Sequence, residues 1–194
     1  YQYGALAGHA YLVGAIPSGV ILTRLAGAGD VRQAGSGNIG ATNVYRVAGR
    51  RLGILTLVCD ALKGALPVGC ALALRYEPIP LALIALAAFL GHCYPVYLGF
   101  KGGKGVATAL GIYIVLAPLA VAGAFVAFAG ILWKWRYVSL ASISAAALIP
   151  LLVLATRQPL PLFFATLGIS GLVILRHQAN IRRLLDGSES RFRA

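Results

Sequence analysis

Between Gly35 and Arg46 the chain places three glycines, two hydroxyls, two asparagines and an arginine within twelve residues: Gly35-Ser36-Gly37-Asn38-Ile39-Gly40-Ala41-Thr42-Asn43-Val44-Tyr45-Arg46. Glycines let backbone N–H groups converge on an oxyanion. Ser36, Thr42 and Asn43 are residue types that cap a short helix, whose N-terminus favours negative charge. Arg46 can grip a phosphate through two parallel hydrogen bonds. The run reads as an anion cradle; the plainer alternative is a polar loop with interfacial arginines. Gly35 to Gly40 also spells GxGxxG, with Asp60 twenty residues beyond. The dinucleotide fingerprint needs a preceding strand and a βαβ unit. This run lies between apolar segments, so that match is set aside.

The second cluster is Lys101-Gly102-Gly103-Lys104-Gly105-Val106-Ala107-Thr108. It is not a Walker A loop: Leu98 stands where the first glycine is required, and Gly105 where Ser or Thr must follow the lysine. Glycines and Lys104 opening a helix nonetheless make a backbone nest plus a point charge, suited to a phosphate monoester. The alternative is a pair of membrane-flanking lysines. Further on, His177 and Asn180 lie three apart and share a face if a helix continues past Arg176. A histidine can move a proton near neutral pH, although one at a helix end is more often structural. Ser139 and Ser142 could add hydroxyl donors. Asp60 and Lys63 sit one turn apart inside an apolar segment. Such an intramembrane pair is costly, so it is either functional or mutually neutralising. His9 and His92 read as interfacial or packing residues. Gly168-Ile169-Ser170-Gly171 and Pro17-Ser18-Gly19 resemble hydrolase strings but lack the histidines that those need.

The elements that must position these clusters are membrane spans. The chain is 59% hydrophobic and only 11% charged, with a net charge of +12. Soluble domains are about 25% charged. The basicity fits positive-inside topology and anionic lipid better than nucleic acid. Cys59, Cys70 and Cys93 lie in apolar segments without ligand spacing and read as membrane-buried residues, not as disulfides or metal ligands. A span needs about 20 apolar residues. Candidates are Tyr3–Leu25, where Gly4 and Gly8 offer a small-residue packing face, then Leu52–Leu74, Ile79–Phe100, Val106–Trp135, Tyr137–Thr156 and Leu160–Arg176. The first reads as retained, not cleaved. The chain does not begin with Met, so a few residues are expected before Tyr1.

Val106–Trp135 is either one long helix or two short crossings that turn near Ala117-Pro118. With two crossings, Arg75 and Arg157 fall on the far side and Lys63 within a span, and the other 14 of 17 Lys and Arg residues share one side. With one crossing the bias nearly vanishes. The positive-inside rule thus predicts an all-α polytopic protein of seven transmembrane helices, N-terminus outside and C-terminus cytoplasmic. At least one helix should be truncated, tilted or re-entrant. The glycine-rich loop, the Lys-Gly loop, the Trp135–Ser142 turn and the tail would then emerge together at the cytoplasmic face, where they can meet in one pocket.

Taken together, Gly35–Asn43 with Arg46, Gly99–Thr108, and His177, Asn180, Ile181 and Glu189 resemble the bacterial acyl-phosphate:glycerol-3-phosphate acyltransferase family. Arg136–Ser142 and Asp60–Gly64 also look like stretches of that family, and the likeness spans essentially residues 1–194 as one integral-membrane domain. The resemblance implies a seven-helix inner-membrane enzyme with its site at the cytoplasmic face. It implies transfer of an acyl group from acyl phosphate to the 1-hydroxyl of glycerol 3-phosphate, giving lysophosphatidic acid and phosphate. No cofactor, metal or nucleic acid is expected; the partners are the two substrates and membrane lipids.

On this reading Ser36 and Arg46, with Gly37, Asn38, Gly40, Thr42 and Asn43, bind the acyl-phosphate head and polarise its carbonyl. Lys104, with Gly102, Gly103, Gly105 and Thr108, holds glycerol 3-phosphate, with Ser142 nearby. His177 and Asn180 orient the attacking hydroxyl; the base is His177 or the substrate's own phosphate. Phosphate leaves readily, so attack is expected to be direct, without an acylated Ser36. Glu189, Asp60 and Lys63 are expected to be structural. A transporter for a phosphorylated solute and a lipid-binding scaffold are the rival readings. The first should offer a path to the far side, where only Arg75, Glu77 and Arg157 are found; the second needs no pair of phosphate loops.

Overall fold

In the computed structural model, residues 2–192 are described, and Arg193 of the basic tail lies outside them. The chain forms two compact units, Tyr1–Leu116 and Ala117–Ala194. Only helices and turns occur among the described residues, as a hydrocarbon environment demands of a chain that must satisfy its own backbone.

The first unit holds α1 (Gln2–Gly14), α2 (Ser18–Leu25), α3 (Ala41–Ala48), α4 (Arg50–Ala73), α5 (Pro78–Cys93) and α6 (Val106–Leu116). Two short 3-10 turns, Val31–Gln33 and Val96–Leu98, lead into the two glycine-rich loops. The first apolar span is not continuous: α1 and α2 are separated at Ala15–Pro17, because Pro17 lacks an N–H and disfavours a helical residue before it. The Ile16 carbonyl left at this break accepts a hydrogen bond from Lys63 Nζ at 2.8 Å.

Close helix contact comes from glycines, but not from those expected. A Cβ at Gly14 would overlap the Ala88 carbonyl, and one at Gly91 the Tyr11 carbonyl, so α1 lies directly on α5. Gly64 and Gly111 do the same for α4 and α6, against Thr108 and Ala61. Gly4 and Gly8, by contrast, have nothing within reach of an added Cβ. The packing end of α1 is its other one, where Ala10 and Gly14 are buried.

The second unit holds α7 (Pro118–Trp135), α8 (Val138–Ala155), α9 (Leu160–Arg176) and α10 (Gln178–Leu185). α8 packs on both α7 and α9. Prolines at the first turns of α7 and α9 start those helices, where a missing N–H costs nothing. The long apolar stretch does break at Ala117-Pro118, leaving α6 with 11 residues. Among the described residues five spans are long and apolar enough to cross a membrane, and six if α9 and α10, bent by 54°, count as one.

Candidate active site

The glycine-rich loop is organised from beneath by Asn43, which is 2% exposed. Its Oδ1 accepts the Ser36 N–H at 2.9 Å, and its Nδ2 reaches the carbonyls of Val31, Ala34 and Asn38 at 3.2, 3.1 and 2.8 Å. Asn38 Oδ1 in turn accepts the Gly40 N–H at 2.9 Å. Gly35 has φ +58°, and a Cβ there would overlap Asn43 Oδ1, so only glycine fits. Below the loop Val20, Val31, Ile39 and Val44 form a small apolar core with Ala48, Leu52 and Leu98 around it. Gly19 lets α2 approach the Ile39 carbonyl.

The short helix expected here is α3, but its N-cap is Gly40, with no side-chain cap. Ser36, Thr42 and Asn43 do not fill that role. Asn38 and Asn43 instead hold loop backbone, while Ser36 and Arg46 remain exposed. Ahead of the loop, Asp30 caps the 3-10 turn through the Arg32 N–H and pairs with Arg24 at 2.7 Å and Arg32 at 2.6 Å. The Arg32 guanidinium beside it holds the Asp30 carboxyl well below the usual carboxylate range, against the opposing effect of burial.

The Lys-Gly loop lies on the C-terminal end of α5. Gly103 N–H donates to the His92 carbonyl at 3.1 Å. A Cβ at Gly102 would overlap that carbonyl, one at Gly103 the His92 ring, and one at Gly105 the Phe89 ring. These glycines are therefore required by close approach to α5, whatever the loop binds. Lys101 is exposed and Lys104 half-buried. Thr108 is fully buried at the α4–α6 contact, and its hydroxyl finds no hydrogen-bond partner among the described residues. Asp60 and Lys63 form a buried pair at 2.9 Å. His92, also buried, brings Nδ1 to 3.8 Å from Asp60 Oδ1. From sequence this histidine reads as an interfacial or packing residue and is not joined to the Lys-Gly loop; its position at the end of the span that leads into that loop was the available signal.

In the second unit the helix does not run straight past Arg176. His177 occupies the bend between α9 and α10 and is 3% exposed. Its Nδ1 lies 2.7 Å from the Val173 carbonyl. A carbonyl only accepts, so Nδ1 carries the proton and Nε2 is the basic nitrogen of the neutral ring. Asn180 Nδ2 and Ser139 Oγ both donate to Glu189 Oε1 at 2.7 Å, and Arg183 Nε donates to Oε2 at 2.6 Å. Burial pushes the Glu189 carboxyl up, but these three donors and the Arg183 charge together bring it below its ordinary value. Ser142 Oγ donates to the Val138 carbonyl at 2.8 Å. The tail is tied to the start of α8: Phe192 N–H donates to the Arg136 carbonyl at 2.6 Å, and Arg136 Nε to the Phe192 carbonyl at 3.2 Å.

Apolar spans joined by glycine-rich cationic loops define a multi-pass helical membrane protein with polar clusters built on a buried scaffold. Residues 5–187 match the family model described as glycerol-3-phosphate acyltransferase, and the chain belongs to that family. The glycerol-3-phosphate acyltransferase of Syntrophotalea carbinolica is 64% identical over 186 residues, covering 95% of each chain. That of Geobacter sulfurreducens is 55% identical over 186 residues, again covering 95% of each. Among solved structures, "PlsY (YgiH), an integral membrane glycerol 3-phosphate acyltransferase" is similar in its glycerol 3-phosphate form, with TM-score 0.95 and 42% identity over 100% of this chain and 96% of that one. Its lysophosphatidic acid form gives TM-score 0.92 and 41% identity over the same shares of the two chains.

Proposed function

We propose that this protein transfers a fatty acyl group from acyl phosphate to the 1-hydroxyl of glycerol 3-phosphate. The hydroxyl oxygen attacks the acyl carbonyl carbon and the bond from that carbon to the phosphate oxygen breaks. Lysophosphatidic acid and phosphate leave, and the hydroxyl proton passes to His177 Nε2 or to a substrate phosphate. The observation that carries the reading is the pair of separate glycine-rich cationic loops in the first unit, each with its backbone held from beneath by a buried side chain or helix end. Two phosphate-bearing substrates call for two such loops. The related PlsY, solved in forms named for glycerol 3-phosphate and lysophosphatidic acid, supports the acceptor and the product.

In this scheme Ser36 and Arg46 hold the acyl-phosphate head and the charge building on its carbonyl oxygen, as preorganised donors do. Lys104 holds the phosphate of glycerol 3-phosphate. His177 and Asn180 act on the acceptor hydroxyl, with Ser142 assisting. Asn38, Asn43 and Glu189 shape the loops and the tail. The catalytic unit is taken as residues 1–194, since the family match runs across both compact units. It sits in the bacterial inner membrane with seven crossings, α6 being the truncated one, and its loops face the cytoplasm.

Kinetics separate the two loops. Loss of a charge-assisted hydrogen bond costs about 1.5–3 kcal/mol, or roughly 10- to 150-fold. Arg46→Ala is expected to raise KM for acyl phosphate on that scale, and Lys104→Ala to raise KM for glycerol 3-phosphate. Equal loss of acyl-phosphate binding in both variants would refute the division. A rapidly quenched, acylated Ser36 would overturn direct attack.

A further inference from the structure

Three buried ionisable side chains of the first unit converge beneath the Lys-Gly loop. Asp60 is 2%, Lys63 5% and His92 3% exposed. Lys63 Nζ bridges Asp60 Oδ1 at 2.9 Å and the Ile16 carbonyl at 2.8 Å, and so ties α4 to the break between α1 and α2. The same Asp60 oxygen lies 3.8 Å from His92 Nδ1, beyond hydrogen-bond distance. The far side of the imidazole, at Nε2, lies against Gly103, where no Cβ could be accommodated. The His92 backbone carbonyl holds the Gly103 N–H, and Gly102 is pressed onto that same carbonyl. One residue thus contacts the loop through its main chain and its ring, while the Asp60–Lys63 pair on the neighbouring helix lies behind the ring.

We propose that His92, oriented by the Asp60–Lys63 pair, is a positioning residue for Gly102–Lys104 and thereby sets where the Lys104 ammonium meets substrate phosphate. A buried ionisable cluster is expensive in a membrane, and a purely apolar contact would fill the same space. What the cluster adds is direction. A buried ring set between the Asp60 carboxylate, 3.8 Å away, and the Gly103 backbone has little room to turn, so its Nε2 edge presents a wall to a loop made almost entirely of glycine. Without that wall the backbone at Gly102 and Gly103 has many more accessible conformations, and a preorganised anion site loses affinity when its groups must first be ordered.

The assignment to glycerol 3-phosphate rests on the role proposed above for Lys104, and the test separates the two. KM for each substrate, kcat and the thermal midpoint are measured for wild type, Lys104→Ala, His92→Ala and His92→Gln in detergent micelles. The expected result is that His92→Ala raises KM for glycerol 3-phosphate about tenfold, as Lys104→Ala does. Its kcat and its KM for acyl phosphate should change less than about threefold, and His92→Gln, which retains a polar group that can reach the loop, should recover most of the loss. If both alanine variants instead raise KM for acyl phosphate, the loop's ligand has been misassigned while the positioning role of His92 stands. The proposal is overturned if His92→Ala leaves unchanged the substrate KM that Lys104→Ala raises. It is equally overturned if both His92 variants lose both substrates and thermal stability in parallel, as an ordinary packing residue would.

Discussion

Glu189 is buried with three donors on its two oxygens, and its effect on stability has a defined sign. Its carboxyl titrates below its ordinary value of 4.5 in the folded protein. The unfolded chain therefore takes up the proton first as pH falls, so the stabilisation is complete above about 4.5 and is lost as pH drops through the folded value. Thermal midpoints from pH 7 to pH 3 should fall on the acid side in wild type and fall less in Glu189→Gln, which starts lower at pH 7. An unchanged acid slope in the variant would remove Glu189 from that role. The same residue scale shows what a sequence conveys. Residue types at Gly35–Arg46 suggest an anion cradle, and Ser36 and Arg46 are exposed there. Types did not announce that Asn43 would bind the Ser36 amide from beneath instead of capping α3, because that bond requires the loop to have folded back over seven residues. The nearness of His92 to Asp60 was hidden for a similar reason: the two stand on different helices, and only the packing of α4 against α5 brings them together.

At the scale of elements, hydropathy and proline carried most of the information. Stretches of about 20 apolar residues became helices, and Pro118 marked the break that leaves α6 short. Pro17 broke the first span as well, a consequence of its missing N–H that periodicity alone concealed. Small-residue spacing was the weaker guide, since any glycine pair four apart suggests a packing face while the partner helix decides which one is used. The contrast is testable. Gly111→Ala places a methyl into the Ala61 carbonyl across the α4–α6 contact and should destabilise by about 1–3 kcal/mol. Gly8→Ala meets nothing within 4 Å and should be neutral or slightly stabilising, since glycine costs a helix about 1 kcal/mol relative to alanine. Thermal midpoints of the two variants check this; equal effects would contradict the packing described here.

For the whole molecule, composition excluded a soluble domain, and the family match covers both compact units. The asymmetry of Lys and Arg remains the basis for the proposed seven crossings and cytoplasmic loops, because charge distribution follows how a chain is inserted. Two glycine-rich loops with Lys104 and Arg46 are the basis for the proposal that both substrates carry phosphate, and the proposed acyl-phosphate donor rests on it. The most direct test incubates the purified protein with labelled glycerol 3-phosphate and either palmitoyl phosphate or palmitoyl-CoA, and measures labelled lysophosphatidic acid. Formation of that product with palmitoyl phosphate, one phosphate released per acyl group transferred, and none with palmitoyl-CoA is the predicted result. No product with palmitoyl phosphate, or product with palmitoyl-CoA alone, would contradict it.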